Sequence, residues 1–113
     1  MSLGAAAIID NLYGTNTSHR LGSTASVGTT ATEIVVASPR RLSLIVQNLH
    51  ASNTLYILPA SEGVTSTKGI RIAAGGFRSF TLREDFILPS LSWWAVASAS
   101  STTLFVLEVI SVD

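Results

Sequence analysis

The sequence predicts an all-β protein: an antiparallel, jelly-roll-like β-sandwich of seven or eight short strands with an N-terminal arm. Three observations predict it. Beyond residue 32, short β-rich runs recur at roughly ten-residue spacing, separated by Pro, Gly, Asn and Ser. No long amphipathic helical stripe follows residue 14. Charge is scarce: 12% of the 113 residues are charged, against about a quarter in an average soluble domain, while 47% are hydrophobic and 28 are Ser or Thr.

The elements follow in order. Glu33–Ala37 reads as a first strand, stopped by Ser38-Pro39 because proline cannot donate to a central ladder. Leu42–Asn48 is a second, with Leu42, Leu44 and Val46 on one face. After a turn at His50–Asn53, Thr54–Leu58 places Leu55 and Ile57 inward. Pro59–Lys68 is a polar loop. Gly69–Ala73 carries Ile70 and Ile72 inward and Arg71 outward. Ala74-Gly75-Gly76 is a tight turn, since glycine accepts positive φ without steric cost. Phe77–Leu82 follows with Phe80 and Leu82 inward, and Phe86–Leu88 is a short strand before Pro89. Ser92–Ser98 and Thr103–Val112 form the last pair. The expected core is Val35, Leu44, Val46, Leu55, Ile57, Ile72, Phe80, Leu82, Val96, Phe105 and Leu107. Each such side chain contributes about 1.5–3 kcal/mol on burial.

The last strand has two apolar faces, Phe105, Leu107 and Val109 on one, Leu104, Val106 and Ile110 on the other. A sandwich strand needs only one. A neighbouring loop, the arm or another subunit must cover the second, and Ile45, Tyr56 and Leu58 pose the same demand.

Residues 1–32 form the arm and residues 33–113 the sandwich domain. The arm lacks period-2 alternation, holds Gly4, Gly14, Gly22 and Gly28, and carries two charges, Asp10 and Arg20. It is extended or partly helical. Leu3, Ala7, Ile8, Leu12 and Tyr13 could make one helical stripe with Ser2 as N-cap and Gly14 past the end. A helix of about 11 residues is marginal alone in water. A mobile tail has no need of Ile8, Ile9, Leu12 and Tyr13, so the arm is expected to order on a neighbouring subunit.

Several function classes lack their chemistry. Without cysteine there is no disulfide, thiolate zinc site or cysteine nucleophile. Seven basic and seven acidic groups leave no surplus to drive nucleic-acid binding, although Arg40-Arg41 could touch phosphate or protect a strand edge. No stretch is long enough to span a bilayer. His19 and His50 have no partner at metal-ligand spacing, and Glu84-Asp85 point apart or into solvent. There is no Gly-x-Ser-x-Gly elbow and no phosphate loop. No enzyme activity and no cofactor is expected. Trp93-Trp94 is the densest aromatic spot. Trp94 shares parity with Val96 and is expected inside. Trp93 is then an exposed anchor for a partner or a sugar, unless both rings are covered within the fold.

Residues 30–110 resemble a recurrent type of small phage virion protein. The likeness runs through Thr32-Glu33-Ile34-Val35, Arg40-Arg41-Leu42-Ser43-Leu44-Ile45-Val46-Gln47-Asn48, Asn53-Thr54-Leu55-Tyr56-Ile57, Ala73-Ala74-Gly75-Gly76, Trp94-Ala95-Val96-Ala97-Ser98 and Val106-Leu107-Glu108. It implies a β-sandwich module of a capsid decoration (cement) protein, or of a tail, head–tail connector, baseplate or fibre component. A host-surface glycan-binding module is the more distant alternative. The expected partners are the major capsid protein or other virion proteins, together with further copies of the chain. The expected location is the virion, assembled in the host cytoplasm. The residues expected to bind partners are Leu3, Ile8, Ile9, Leu12 and Tyr13 in the arm and Trp93, Val106 and Ile110 in the sandwich.

Overall fold

The computed structural model describes residues 17–21, 25–59, 64–65 and 68–111. Among them, nine strands form two antiparallel sheets: β1 Thr17–Leu21, β2 Ala25–Val27, β3 Thr32–Val35, β4 Arg41–Asn48, β5 Leu55–Leu58, β6 Ile70–Ile72, β7 Phe77–Thr81, β8 Trp93–Ala97 and β9 Thr102–Ser111. The larger sheet runs β1-β9-β4-β7, with β2 also on β9, and the smaller runs β3-β8-β5-β6. β1 pairs with the C-terminal half of β9 and β2 with its N-terminal half, so the two are pieces of one broken edge strand. The pairing is nested: β1 and β2 with β9, β3 with β8, β4 with β7, β5 with β6. Two antiparallel sheets packed face to face make the predicted β-sandwich, with nine strands among the described residues in place of seven or eight.

Leu44, Val46, Leu55, Ile57, Ile72, Phe80 and Val35 fill the core as expected. Alternation along β4 and β5 decides this, because every second residue faces the other sheet. The Ala74-Gly75 turn forms as predicted, with Gly75 at φ 76 and the Gly76 amide donating to the Ala73 carbonyl at 2.8 Å. Buried Asn48 closes β4. Its amide donates to the carbonyls of Asn53 (2.8 Å) and Ile72 (3.1 Å), and its Oδ1 accepts from the His50 amide. The His50 ring is part of the turn it occupies: Nδ1 accepts from the amides of Ser52 and Asn53.

Other expectations are corrected. Ahead of the expected boundary at residue 32, Thr17–Leu21 and Ala25–Val27 already pair with β9, and Val27 is fully buried. These strands are short edge pieces rich in polar residues, so no alternation marks them. Leu82 is 42% exposed. The Thr81 hydroxyl caps a one-turn helix, α1 (Leu82–Asp85), which carries Leu82 off the strand. Phe86–Leu88 is not a strand. A turn leads into a 3-10 turn at Leu88–Ser90 with buried Pro89. In β4 the pairing with β9 shifts between Arg41 and Ser43, and this bulge turns Arg41 inward in place of Leu42.

The parity of β8 and β9 is the reverse of that expected. Trp93 is fully buried and Trp94 is only partly so. The Trp93 ring stacks on Phe80 at 4.5 Å, and its indole N–H donates to the Leu88 carbonyl at 2.9 Å. Ala95 and Ala97 share its face and leave room for the facing sheet. Val96 is also buried, on the other face, where it lines a hollow of about 270 Å³ with Val64. The chain itself covers that part of the outer surface. In β9, Leu104 and Val106 lie in the core, while Phe105 and Leu107 face outward. Trp93→Ala is therefore expected to cost about 3–5 kcal/mol of unfolding free energy, against under about 1 kcal/mol for Trp94→Ala, both read from denaturant titrations.

Candidate functional site

Three charged residues stand in segments otherwise poor in charge, and the fold brings them together. Glu108 interrupts the apolar run of β9 and points inward, 4% exposed. Arg20 of β1 lies directly opposite it and grips it with two bonds of 2.9 Å, Nε to Oε2 and Nη2 to Oε1. Arg41 of β4, 2% exposed, donates from Nε to Oε1 at 2.5 Å. The remaining Arg41 nitrogens reach main-chain carbonyls: Nη1 to Pro89 and Leu91, Nη2 to Val36. One side chain thus ties the larger sheet to the end of β3 and to the segment entering β8. Arg41 is neither a phosphate ligand nor an edge guard.

Burial pushes the Glu108 carboxyl up, but hydrogen bonds from Arg20 and Arg41, with their positive charge, outweigh it and hold the carboxyl below the ordinary range. Arg20 is raised by its bond to Glu108. A carboxyl depressed in the folded state adds stability that is complete above its unfolded value, about 4.3, and is lost as pH falls through the lower folded value. The wild-type melting temperature is therefore expected to fall as pH drops below about 4. In Glu108→Gln this contribution to the acid slope should disappear. At neutral pH that variant, which leaves Arg41 buried without its counter-charge, should cost about 3–5 kcal/mol.

Above these groups lies an open groove of about 480 Å³ between β3 and the larger sheet. Ile34, Val35 and Val36 form its apolar wall, and Arg20, Arg41 and Glu108 are among its remaining lining residues. The Arg20 side chain is 49% exposed there.

The outer face of the larger sheet is the second feature. Its register places Ile45 beside Leu107, Gln47 between Phe105 and Phe77, and Val109 beside Ser43. Ser79 and Thr103 complete it, with His19 opposite Val109. No Asp, Glu, Lys or Arg stands on this face among the described side chains. It has an aliphatic and aromatic centre with a hydroxyl-rich rim. The opposite face, on the smaller sheet, carries Glu33 beside Trp94 and Arg71 beside Tyr56.

The residues expected to bind partners separate accordingly. Leu3, Ile8, Ile9, Leu12 and Tyr13 lie outside the described residues. Trp93 and Val106 are core residues with no exposed surface, so neither is a surface anchor. Ile110 is partly buried at the end of β9, opposite Ser18 and Arg41. The Arg20–Glu108–Arg41 cluster escaped sequence reasoning, although its signal was present: a lone carboxylate in Leu104–Ile110 and a lone arginine in residues 11–32. No group of three His, Cys, Asp or Glu among the described residues could hold a metal ion.

No protein-family model matches the chain, and no curated protein sequence matches it. Solved structures do. A chain of the Bacillus endospore appendages, which form a novel family of disulfide-linked pili, superposes with a TM-score of 0.51 at 15% identity, covering 100% of this chain and 98% of that one. The coat protein of Tobacco streak virus gives a TM-score of 0.47 at 10% identity, covering 85% of this chain and 86% of that one. Its dimer form gives 0.46 at 16%, covering 98% and 89%. The likeness to the appendage chain is one of fold.

Proposed function

We propose that this chain is a structural protein of a virion, a decoration or cement protein that binds and stabilises a phage head through its β-sandwich and N-terminal arm. The observation that carries this reading is the charge-free outer face of the larger sheet. Charged groups are depleted at the centres of protein interfaces, and aromatic and aliphatic groups take their place. On a chain with 7 basic and 7 acidic side chains, such a face meets another protein surface without electrostatic penalty. The sequence resemblance of residues 30–110 to small phage virion proteins supports the same class. The appendage subunits that share the fold form disulfide-linked pili. This chain has no cysteine, so disulfide linkage of that kind is not open to it.

The mechanism is physical. A sandwich seated by one face, with its N-terminal arm laid along a neighbouring subunit, contacts more than one neighbour. Each contact is weak alone, but contacts from one assembly raise the effective concentration of the others. Binding only to the closed shell then stabilises that shell by linkage.

Quantitative mass spectrometry of purified particles tests the location. A copy number near that of the major shell protein, or a simple lattice fraction of it, is expected. A few copies per hundred would instead place the protein in the tail or connector. Deleting residues 1–14 removes nothing from β1 and is expected to leave the melting temperature within about 2 °C while abolishing attachment to particles. Normal attachment of the truncated chain would remove the arm from the mechanism.

A further inference from the structure

Two adjacent large apolar side chains stand out at the corner that joins β7 to β8. Phe86 is 75% exposed and Ile87 is 64% exposed. The Phe86 backbone has φ 56 and ψ −118. This is the region that a type II′ turn reserves for glycine at its first central position. A bulky side chain is strained there, and such strain persists only where the surroundings over-determine it.

The surroundings do so. On one side, the Asp85 carboxylate accepts from the Thr81 amide at 2.8 Å, and the Phe86 amide donates to the Leu82 carbonyl. On the other, the Ser90 amide and hydroxyl both donate to the Ile87 carbonyl. Just beyond, buried Trp93 and Arg41 hold the carbonyls of Leu88, Pro89 and Leu91. The corner is rigid, and its ring projects into solvent. Within a single chain most of the Phe86 side chain stays outside the packed interior.

The same chain carries a matching recess. The groove beside β3 has an aliphatic wall, Ile34 to Val36, and the half-exposed Arg20 guanidinium beside it. Val36 itself is 67% exposed. An apolar wall with a cation next to it suits the face of an aromatic ring. With zero net charge, copies of the chain do not repel one another.

We propose that the Phe86–Ile87 corner of one copy seats in the β3 groove of a second copy, with the Phe86 ring against Arg20. Knob and recess are different surfaces of one chain, so the contact is heterologous and repeats from copy to copy unless symmetry closes it. Two anchoring side chains bury less than a standard interface of about 800 Å² per partner. The free association is therefore weak and is strengthened by repetition within an assembly. This inference does not depend on the virion reading, because it concerns the isolated chain.

The test is sedimentation of the purified full chain over a concentration series reaching the millimolar range. The wild type is expected to associate reversibly. Phe86→Gly relieves the backbone and removes the ring, so association should weaken about tenfold or more while the melting temperature stays level or rises. Phe86→Asp and Val36→Asp should each be monomeric, and both positions are exposed, so folding is spared. Mixing those two variants is decisive. Each retains the half that the other lacks, so the mixture should form one-to-one pairs and no longer species. A wild type that stays monomeric throughout overturns the proposal. So does undiminished association of Phe86→Gly, or a mixture that stays monomeric when both variants melt like the wild type.

Discussion

The Arg41–Glu108 pair is the constraint on which the rest of the sandwich depends. Glu108 sits in the middle of the longest strand, on the face that packs against the other sheet. An unpaired carboxylate there would carry a desolvation cost of several kcal/mol. Arg41 meets it only because the bulge in β4 turns that side chain inward. Once inward, its fork has more donors than one carboxylate can use. The surplus goes to the carbonyls of Val36, Pro89 and Leu91, none of which lies in the larger sheet. An ion pair required by one strand thereby fixes how two β8- and β3-side segments meet the larger sheet. Arg20 completes the cluster from the edge and binds β1 to β9 by side chain as well as by ladder.

The same cluster lies beside both surfaces of the proposed contact between copies. It lines the β3 groove, and it holds the Pro89 and Leu91 carbonyls that anchor the corner bearing Phe86 and Ile87. Groove and corner are therefore coupled to one buried arginine. The charge-free face on the other side of the larger sheet is free of this constraint, because strand alternation sends Glu108 and Arg20 inward and leaves Leu107, Val109 and His19 outward. One sheet thus presents an uncharged face outward and turns its charged side chains to the face toward the other sheet, where Glu108 and Arg41 are buried and Arg20 stays half-exposed. That arrangement suits a subunit whose outer face meets protein.

Legibility in the sequence followed the strength of the alternation. β4 and β5 alternate cleanly from Leu44 to Ile57, and their core residues were readable without coordinates. β9 is apolar on both faces, so period alone does not say which side is inside, and Phe105 and Leu107 face outward where the sequence predicts core. In β8 both Trp93 and Trp94 were admissible. The outcome turned on Phe80 and on the Leu88 carbonyl, which come from elsewhere in the chain. β1 and β2 were unreadable because a short edge strand needs few inward residues. Of the expected partner-binding residues in the sandwich, Val106 and Trp93 proved to be core, and Ile110 lies at the end of β9.

Fold class, the turn at Ala74-Gly75, most of the central core and the poverty of charge are legible in the residues alone. Those are properties of local period and composition, and they hold wherever the strands go. The face that β8 and β9 turn inward, the union of Arg20, Arg41 and Glu108 across three strands, and the corner that exposes Phe86 are settled by packing. Each depends on residues that are distant in sequence meeting through nested strand pairing, and no local pattern carries that information.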